Sequence, residues 1–226
     1  MPTTPEALRA VHAYDGGASG DRFHVRFRWL TCPFPALERV VPLTGRVLEV
    51  GCGHGLLSLY LAECGPRRQV VGIDIDADKV EVARAAASRA GLTDRVSFVT
   101  TSLADLDASG FDAVVIADVL YLLPPAARRA VLADGAARLA PDGRVVVKEA
   151  DRRPRWKGAL TVAQELVATR LLRITEGEQV AFTPPEELAD PLRAAGLEVV
   201  IRRVDRGYLH PHVLLVATAA GGTVPG

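Results

Sequence analysis

The sequence predicts an α/β fold: an open, mainly parallel sheet wound on both faces by helices, with its last strand antiparallel. Three observations carry that expectation. From residue 46 onward, short apolar runs alternate with helical ones, which implies right-handed crossovers between parallel strands. The run 111–117 reads as a strand covered on both faces. The last two strand-like runs, 197–204 and 213–218, are joined by eight residues, too few for a parallel crossover and enough for an antiparallel pair. At 226 residues the chain fits one domain with a substantial core.

The elements follow in order. Residues 5–13 form a short helix, then loops gather around Gly16, Gly17 and Gly20, and Cys32-Pro33-Phe34-Pro35 is a turn. His24, Arg26 and Arg28 alternate as in a strand, or line an arm folded over a ligand. Strands at 46–50, 69–73, 95–100, 111–117 and 144–149 are separated by helices at 56–64, 77–90 and 125–140. Asp76 caps the second of these helices and Gly91 ends it. Pro141-Asp142-Gly143 turns the chain into the fifth strand. Residues 156–174 place Trp156, Leu160, Ala163 and Leu171 on one helical face. Thr183-Pro184-Pro185-Glu186 has capping-box spacing with proline at the first helical position, and Pro191 interrupts the helix behind it. Residues 1–44 are thus expected to be an N-terminal arm or lid, and 45–226 a ligand-binding domain with a helical insertion at about 153–183.

Composition excludes several functions. The formal charge is zero and the pI about 7.0, which argues against nucleic acid as a partner, because phosphate neutralisation needs a basic surplus. The amino terminus lacks the layout of a signal peptide, and the apolar run 113–123 is too short to span a bilayer and carries Asp118. Three widely spaced cysteines, Cys32, Cys52 and Cys64, make no disulfide framework, so the chain reads as cytoplasmic, without stable membrane insertion. No second pair of ligands stands at zinc spacing beside Cys52 and His54, so no metal is expected. Lysine is scarce against arginine and alanine is abundant, a bias that suggests a GC-rich bacterial genome.

The chemistry-bearing segment is Val47-Leu48-Glu49-Val50-Gly51-Cys52-Gly53-His54-Gly55. A strand runs into three glycines at alternate positions and a helix follows, so backbone amides can approach a ligand closely and the helix N-terminus favours negative charge. The dinucleotide fingerprint would want glycine where Leu56 stands. Glu49 lies inside the strand, and a buried acid there needs a partner, such as a cationic amino group. Asp74 ends the second strand, 19 positions past Gly55, where a carboxylate accepts both hydroxyls of a ribose. Asp76 is the rival for that role, read as the helix cap instead.

On these residues the chain resembles the class I S-adenosylmethionine-dependent methyltransferase family. The resemblance runs from Arg46 to Thr218 and includes Gly72-Ile73-Asp74, the fourth-strand run Phe111-Asp112-Ala113-Val114-Val115, and the turn Leu139-Ala140-Pro141-Asp142-Gly143, whose usual second glycine is Asp142. It implies a Rossmann-like doubly wound sheet of seven strands in the order 3-2-1-4-5-7-6, and S-adenosyl-L-methionine as cofactor. Glu49, Gly51, Cys52, Gly53 and Gly55 would surround its methionine part, Asp74 and Ile75 its ribose and base, and Ser102 and Leu103 its adenine. Ser102 stands where an aspartate is usual, and accepts a hydrogen bond more weakly. Asp118 matches the position facing the sulfonium.

The implied activity is methyl transfer to a small-molecule or lipid-like acceptor, at oxygen. Because the sulfonium is already activated, the protein mainly aligns the nucleophile. Tyr121, Arg153, Trp156 and His24 are the expected acceptor contacts. His210 and His212, with Asp118, are the candidates to take a proton from a hydroxyl, and Tyr208 is the residue expected to orient whichever histidine acts. Two other readings are open to the sequence: a non-catalytic methyltransferase-like regulatory binding protein, and a nicotinamide-dependent oxidoreductase.

Overall fold

The computed structural model describes residues 3–150, 183–208 and 211–222. The expected insertion, with Arg153 and Trp156, and His210 in the last joint lie outside the described residues.

Three helices precede the sheet: α1 (Pro5–His12), α2 (Ser19–Thr31) and α3 (Phe34–Glu38). The alternation of His24, Arg26 and Arg28 therefore lies on a helix, not a strand. Then follow β1 (Thr44–Val50), α4 (Leu56–Cys64), β2 (Arg67–Asp74), α5 (Ala77–Arg89), β3 (Val96–Thr100) and β4 (Phe111–Ala117). A one-turn 3-10 helix (Leu120–Leu122) leads to α6 (Pro125–Ala137), β5 (Leu139–Ala150), α7 (Pro185–Ala194), β6 (Glu198–Arg203) and β7 (His212–Thr218). The sheet has the order β3-β2-β1-β4-β5-β7-β6, with β7 antiparallel to both neighbours.

Residue parity along the strands builds two apolar layers. Val47, Val70, Ala113, Val115 and Val146 face one side, where Leu59 and Leu61 of α4 and Val80, Ala83 and Ala86 of α5 cover them. Leu48, Ile73, Val114, Ile116, Val145 and Val147 face the other, under Leu132 of α6 and Leu188 and Leu192 of α7. The N-terminal helices belong to the first layer: Ala7, Ala10, Tyr14, Val25, Trp29 and Leu37 are all buried there.

Three local expectations change. Pro141-Asp142-Gly143 is not a free turn but the start of β5, with a register shift against β4 between Phe111 and Ala113. Helix α6 ends at Ala137, three residues early, because β5 begins at Leu139. Thr183 does not cap α7; Pro184 is the N-cap, and the Thr183 hydroxyl accepts from the Arg128 guanidinium. Asp76 does cap α5, accepting from the Lys79 amide at 3.1 Å.

Candidate functional site

The carboxyl ends of the parallel strands converge on the glycine loop. Gly51 and Cys52 both donate their amides to the Ile73 carbonyl, at 2.8 and 2.9 Å, which ties the loop to the tip of β2. The Gly53 amide donates to Asp74 Oδ2 at 2.7 Å, and the Asp76 amide to Oδ1 at 3.0 Å. Gly53 has φ +51°, and a Cβ there would meet nothing within 4 Å, so its outer side is open space. Gly55 differs: at φ +79° its missing Cβ leaves room for Phe98, whose ring a methyl would approach to 2.5 Å. The loop therefore packs at its far end and opens at its centre, beside the Asp74 carboxylate.

Glu49 is buried and accepts the Ser58 hydroxyl at 2.5 Å. Burial pushes its carboxyl up to about 7, against that hydrogen bond and the more distant Arg28 charge. Among the described residues, no cation stands in direct contact with it. Cys52 is buried, and burial raises its thiol, as expected of a packing residue. Ile75, just past Asp74, is 80% exposed. After β3, Ser102 donates its hydroxyl to Asp105 Oδ2 at 2.5 Å, while Leu103 is buried.

Helix α2 lies over this loop. The ring of His24 sits 4.5 Å from that of His54, and His54 Nε2 lies 3.4 Å from Asp21 Oδ1. Burial, with His54 and Arg28 nearby, pushes His24 down to about 4, so it is neutral at physiological pH. The buried Tyr14 donates its hydroxyl to the His54 carbonyl at 2.5 Å.

Beyond the loop, Asp118 directly follows β4 with φ +57°, a left-handed conformation that a non-glycine residue adopts at a cost. Lys148 Nζ donates to its Oδ1 at 2.5 Å and Arg28 Nη1 to its Oδ2 at 2.9 Å. Burial alone would raise this carboxyl, but the Lys148 and Arg28 charges hold it well below the ordinary carboxylate range. A carboxylate so held is a weak proton acceptor. Next to it Glu149 accepts the Val119 and Leu120 amides at 3.1 and 2.9 Å. Burial and the Asp118 charge push it up to about 8. Neither Lys148 nor Glu149 was among the expected site residues. The available signal was two charged residues inside the apolar run that ends β5.

His212 heads β7 and is buried, with Nε2 at 2.8 Å from the Thr31 carbonyl. A carbonyl only accepts, so Nε2 carries the proton and ties β7 to the end of α2. The Tyr208 ring stands edge-on to His212 at 5.6 Å. Tyr121 lies in the 3-10 turn and lines a small cavity with Glu149, Thr183 and Leu188. The structure thus gathers Glu49, Gly51, Gly53, Gly55, Asp74, Asp118 and His24 about the loop, whereas Tyr121 sits one turn beyond. Among the described residues, no group of three or more His, Cys, Asp or Glu could hold a metal.

The chain is similar to known proteins over this region. Residues 47–143 match a family model described as a methyltransferase domain. A ubiquinone biosynthesis O-methyltransferase of Xanthomonas axonopodis pv. citri is 35% identical over 164 residues, 71% of this chain and 66% of that protein. One from Marinobacter nauticus is 34% identical over 167 residues, covering 72% of this chain and 67% of that protein. The matches thus span about two thirds of the length of these curated relatives. The solved structure of magnesium protoporphyrin IX methyltransferase from Synechocystis PCC 6803, with bound SAH, superposes with a TM-score of 0.66 at 24% identity, covering 94% of each chain.

Proposed function

The chain belongs to the class I S-adenosylmethionine-dependent methyltransferase family, and from that membership we propose that it moves the methyl group of S-adenosyl-L-methionine to an oxygen of a small or lipid-like acceptor. The observation that carries the reading is the opening at Gly53: a left-handed glycine with free space on its outer side, its amide on the Asp74 carboxylate. That cradle, with an acid for ribose hydroxyls and a second acid one strand away, fits an adenosyl group bearing an ammonium. The O-methyltransferase names of the relatives support oxygen as the atom methylated.

When bound, the cofactor supplies a methyl already activated on sulfonium sulfur. The chain's own residues bind and orient. Asp74 has lone pairs left and would hold the ribose hydroxyls, Glu49 would meet the amino end, and Ile75, Ser102 and Leu103 would hold the base. Gly51, Cys52 and Gly55 shape the loop. Helix α2, with the rest of the arm at 1–44, covers the loop and keeps water from the reacting centre. Arg28, Lys148 and Asp118 form a fixed charge cluster near the transfer point, so Asp118 acts electrostatically rather than as the base. Donation from His212 Nε2 to the Thr31 carbonyl fixes its tautomer and puts the basic lone pair on Nδ1, so His212 stays a candidate base, with His210 outside the described residues, while alignment of the nucleophile supplies the main part of the rate. In this reading Tyr121 and His24 meet the acceptor, joined by Arg153 and Trp156 from outside the described residues, and His210, also outside them, is a candidate to take the proton. Among the described residues no helix is long and apolar enough to cross a membrane. The reading places the enzyme in the cytoplasm, acting on small molecules and not on nucleic acid.

The test is transfer of a tritiated methyl group from S-adenosylmethionine to a panel of hydroxylated aromatic and lipid-like acceptors. Label in an alkali-stable ether supports the proposal. Binding of cofactor without transfer to any acceptor, in a protein that retains its fold, would favour the regulatory binder instead.

A further inference from the structure

We propose that Asp105 acts through Ser102 to make the nucleoside site choose an amino-bearing purine over its keto counterpart. The proposal rests on the cofactor reading above and adds a residue to it.

A serine hydroxyl can donate or accept, and its rotor decides which. At Ser102 that choice is made by Asp105. The hydroxyl donates to Asp105 Oδ2 at 2.5 Å, and the Asp105 amide donates back to the Ser102 oxygen at 3.3 Å. The proton and one lone pair are thereby committed, and the remaining lone pair makes Ser102 an acceptor only. This differs from an ordinary capping box, in which the acid takes the backbone amide of the serine. An acid serving the turn alone would sit on that amide. Here it sits on the hydroxyl, where it sets the polarity of the group.

In that reading the pair stands at the base, because it follows directly on the strand tip beside the ribose acid. Thr100 is paired with Asp74 in the sheet, and the Thr101 amide donates to the Asp74 carbonyl at 3.0 Å, so Ser102 is the next residue outward from the ribose acid. Ile75, the residue after Asp74, offers an apolar side chain that is 80% exposed, a surface suited to a flat ring. An amino purine presents an N–H donor on its outer edge. A keto purine presents an oxygen acceptor at the same point, which meets a lone pair on Ser102 and the negative charge of Asp105. The polarity of the pair therefore favours the first and opposes the second.

The experiment measures binding of S-adenosylhomocysteine and of S-inosylhomocysteine, its keto analogue, to the full chain by calorimetry. The variants are Asp105→Ala and Ser102→Ala. Wild type should prefer the adenosyl compound by about tenfold, equivalent to roughly one hydrogen bond. In Asp105→Ala the hydroxyl is free to turn and donate to the keto oxygen, so the preference should fall to about twofold or less, largely through tighter inosyl binding. Asp105 is exposed, so the ligand-free melting temperature should stay at the wild-type value. A wild-type ratio retained in Asp105→Ala overturns the proposal. Equal weakening of both ligands does so too, because it assigns Asp105 to holding the turn. Ser102→Ala with an unchanged ratio likewise removes the serine from the base. If S-adenosylhomocysteine fails to bind wild type at all, the cofactor reading falls and this inference with it.

Discussion

The glycines at the centre and at the far end of the loop, Gly53 and Gly55, separate packing from ligand binding. Gly55→Ala would force a left-handed φ on alanine and press its methyl against Phe98, at about 2–4 kcal/mol of stability. Gly53→Ala carries the conformational cost alone, about 1–2 kcal/mol, but places a methyl in the open space beside Asp74. Urea unfolding should rank Gly55→Ala as the more damaging, whereas S-adenosylhomocysteine affinity should suffer more, relative to stability, in Gly53→Ala. At Asp118 the stakes are ionic. Asp118→Asn leaves Arg28 and the buried Lys148 without their shared anion, and should cost about 3–5 kcal/mol in denaturant. Two neighbouring acids give the fold a pH signature of known sign. Glu149 and Glu49 are raised from 4.5 to about 8 and about 7, so across that window the folded state keeps protons that the unfolded chain has released. Stability should therefore fall as pH rises through that window. Glu149→Gln, which can still accept both amides, should flatten the fall between about pH 5 and pH 8.5. An unchanged slope in the variant would locate the dependence elsewhere.

At the scale of elements, Arg68 joins the N-terminal helices to the sheet. Its fully buried guanidinium donates to the Pro42, Val41 and Leu61 carbonyls and pairs with Glu38, so one side chain closes the ends of α3 and α4. Arg68→Met would strand those carbonyls and an acid, and should destabilise the protein by about 3 kcal/mol or more, read from the urea midpoint. The same region marks how far the sequence was legible. Strands β1 to β5 and helices α4 to α6 declared themselves because each is a short apolar run or a capped periodic one, with glycine or proline at its borders. The loop with Glu49 and Asp74 was legible for the same reason: its glycines have no role in a regular element. The arm was not. Helix α2 carries Phe23, Phe27 and Leu30 on an exposed face, so its apolar pattern does not point to the core, and the alternation of His24, Arg26 and Arg28 imitated a strand. Its contacts are long-range ion pairs and ring contacts, Arg28 to Asp118 and His24 to His54, which no local pattern encodes. Lys148 and Glu149 were missed because a charge inside a strand looks like an exposed edge until its partners, 30 residues away, are in place.

For the whole molecule, the arm and the sheet form one body around the glycine loop. Truncating the first 43 residues would expose the first apolar layer, because Ala10, Tyr14 and Leu37 are buried in it. Single substitutions therefore test the site more cleanly than deletions. A loop that opens at Gly53, an acid at the tip of β2 and an order of strands shared with the family all converge on one ligand. The most direct test is thermal unfolding of wild type and Asp74→Ala with S-adenosylhomocysteine or with nicotinamide adenine dinucleotide, since a ligand that binds only the folded state raises its melting temperature. The account predicts a rise with the sulfur nucleoside in wild type and none with the dinucleotide. In Asp74→Ala, affinity should be weaker by roughly 10- to 100-fold, the loss of a charged hydrogen bond. A rise with the dinucleotide and none with S-adenosylhomocysteine would contradict it.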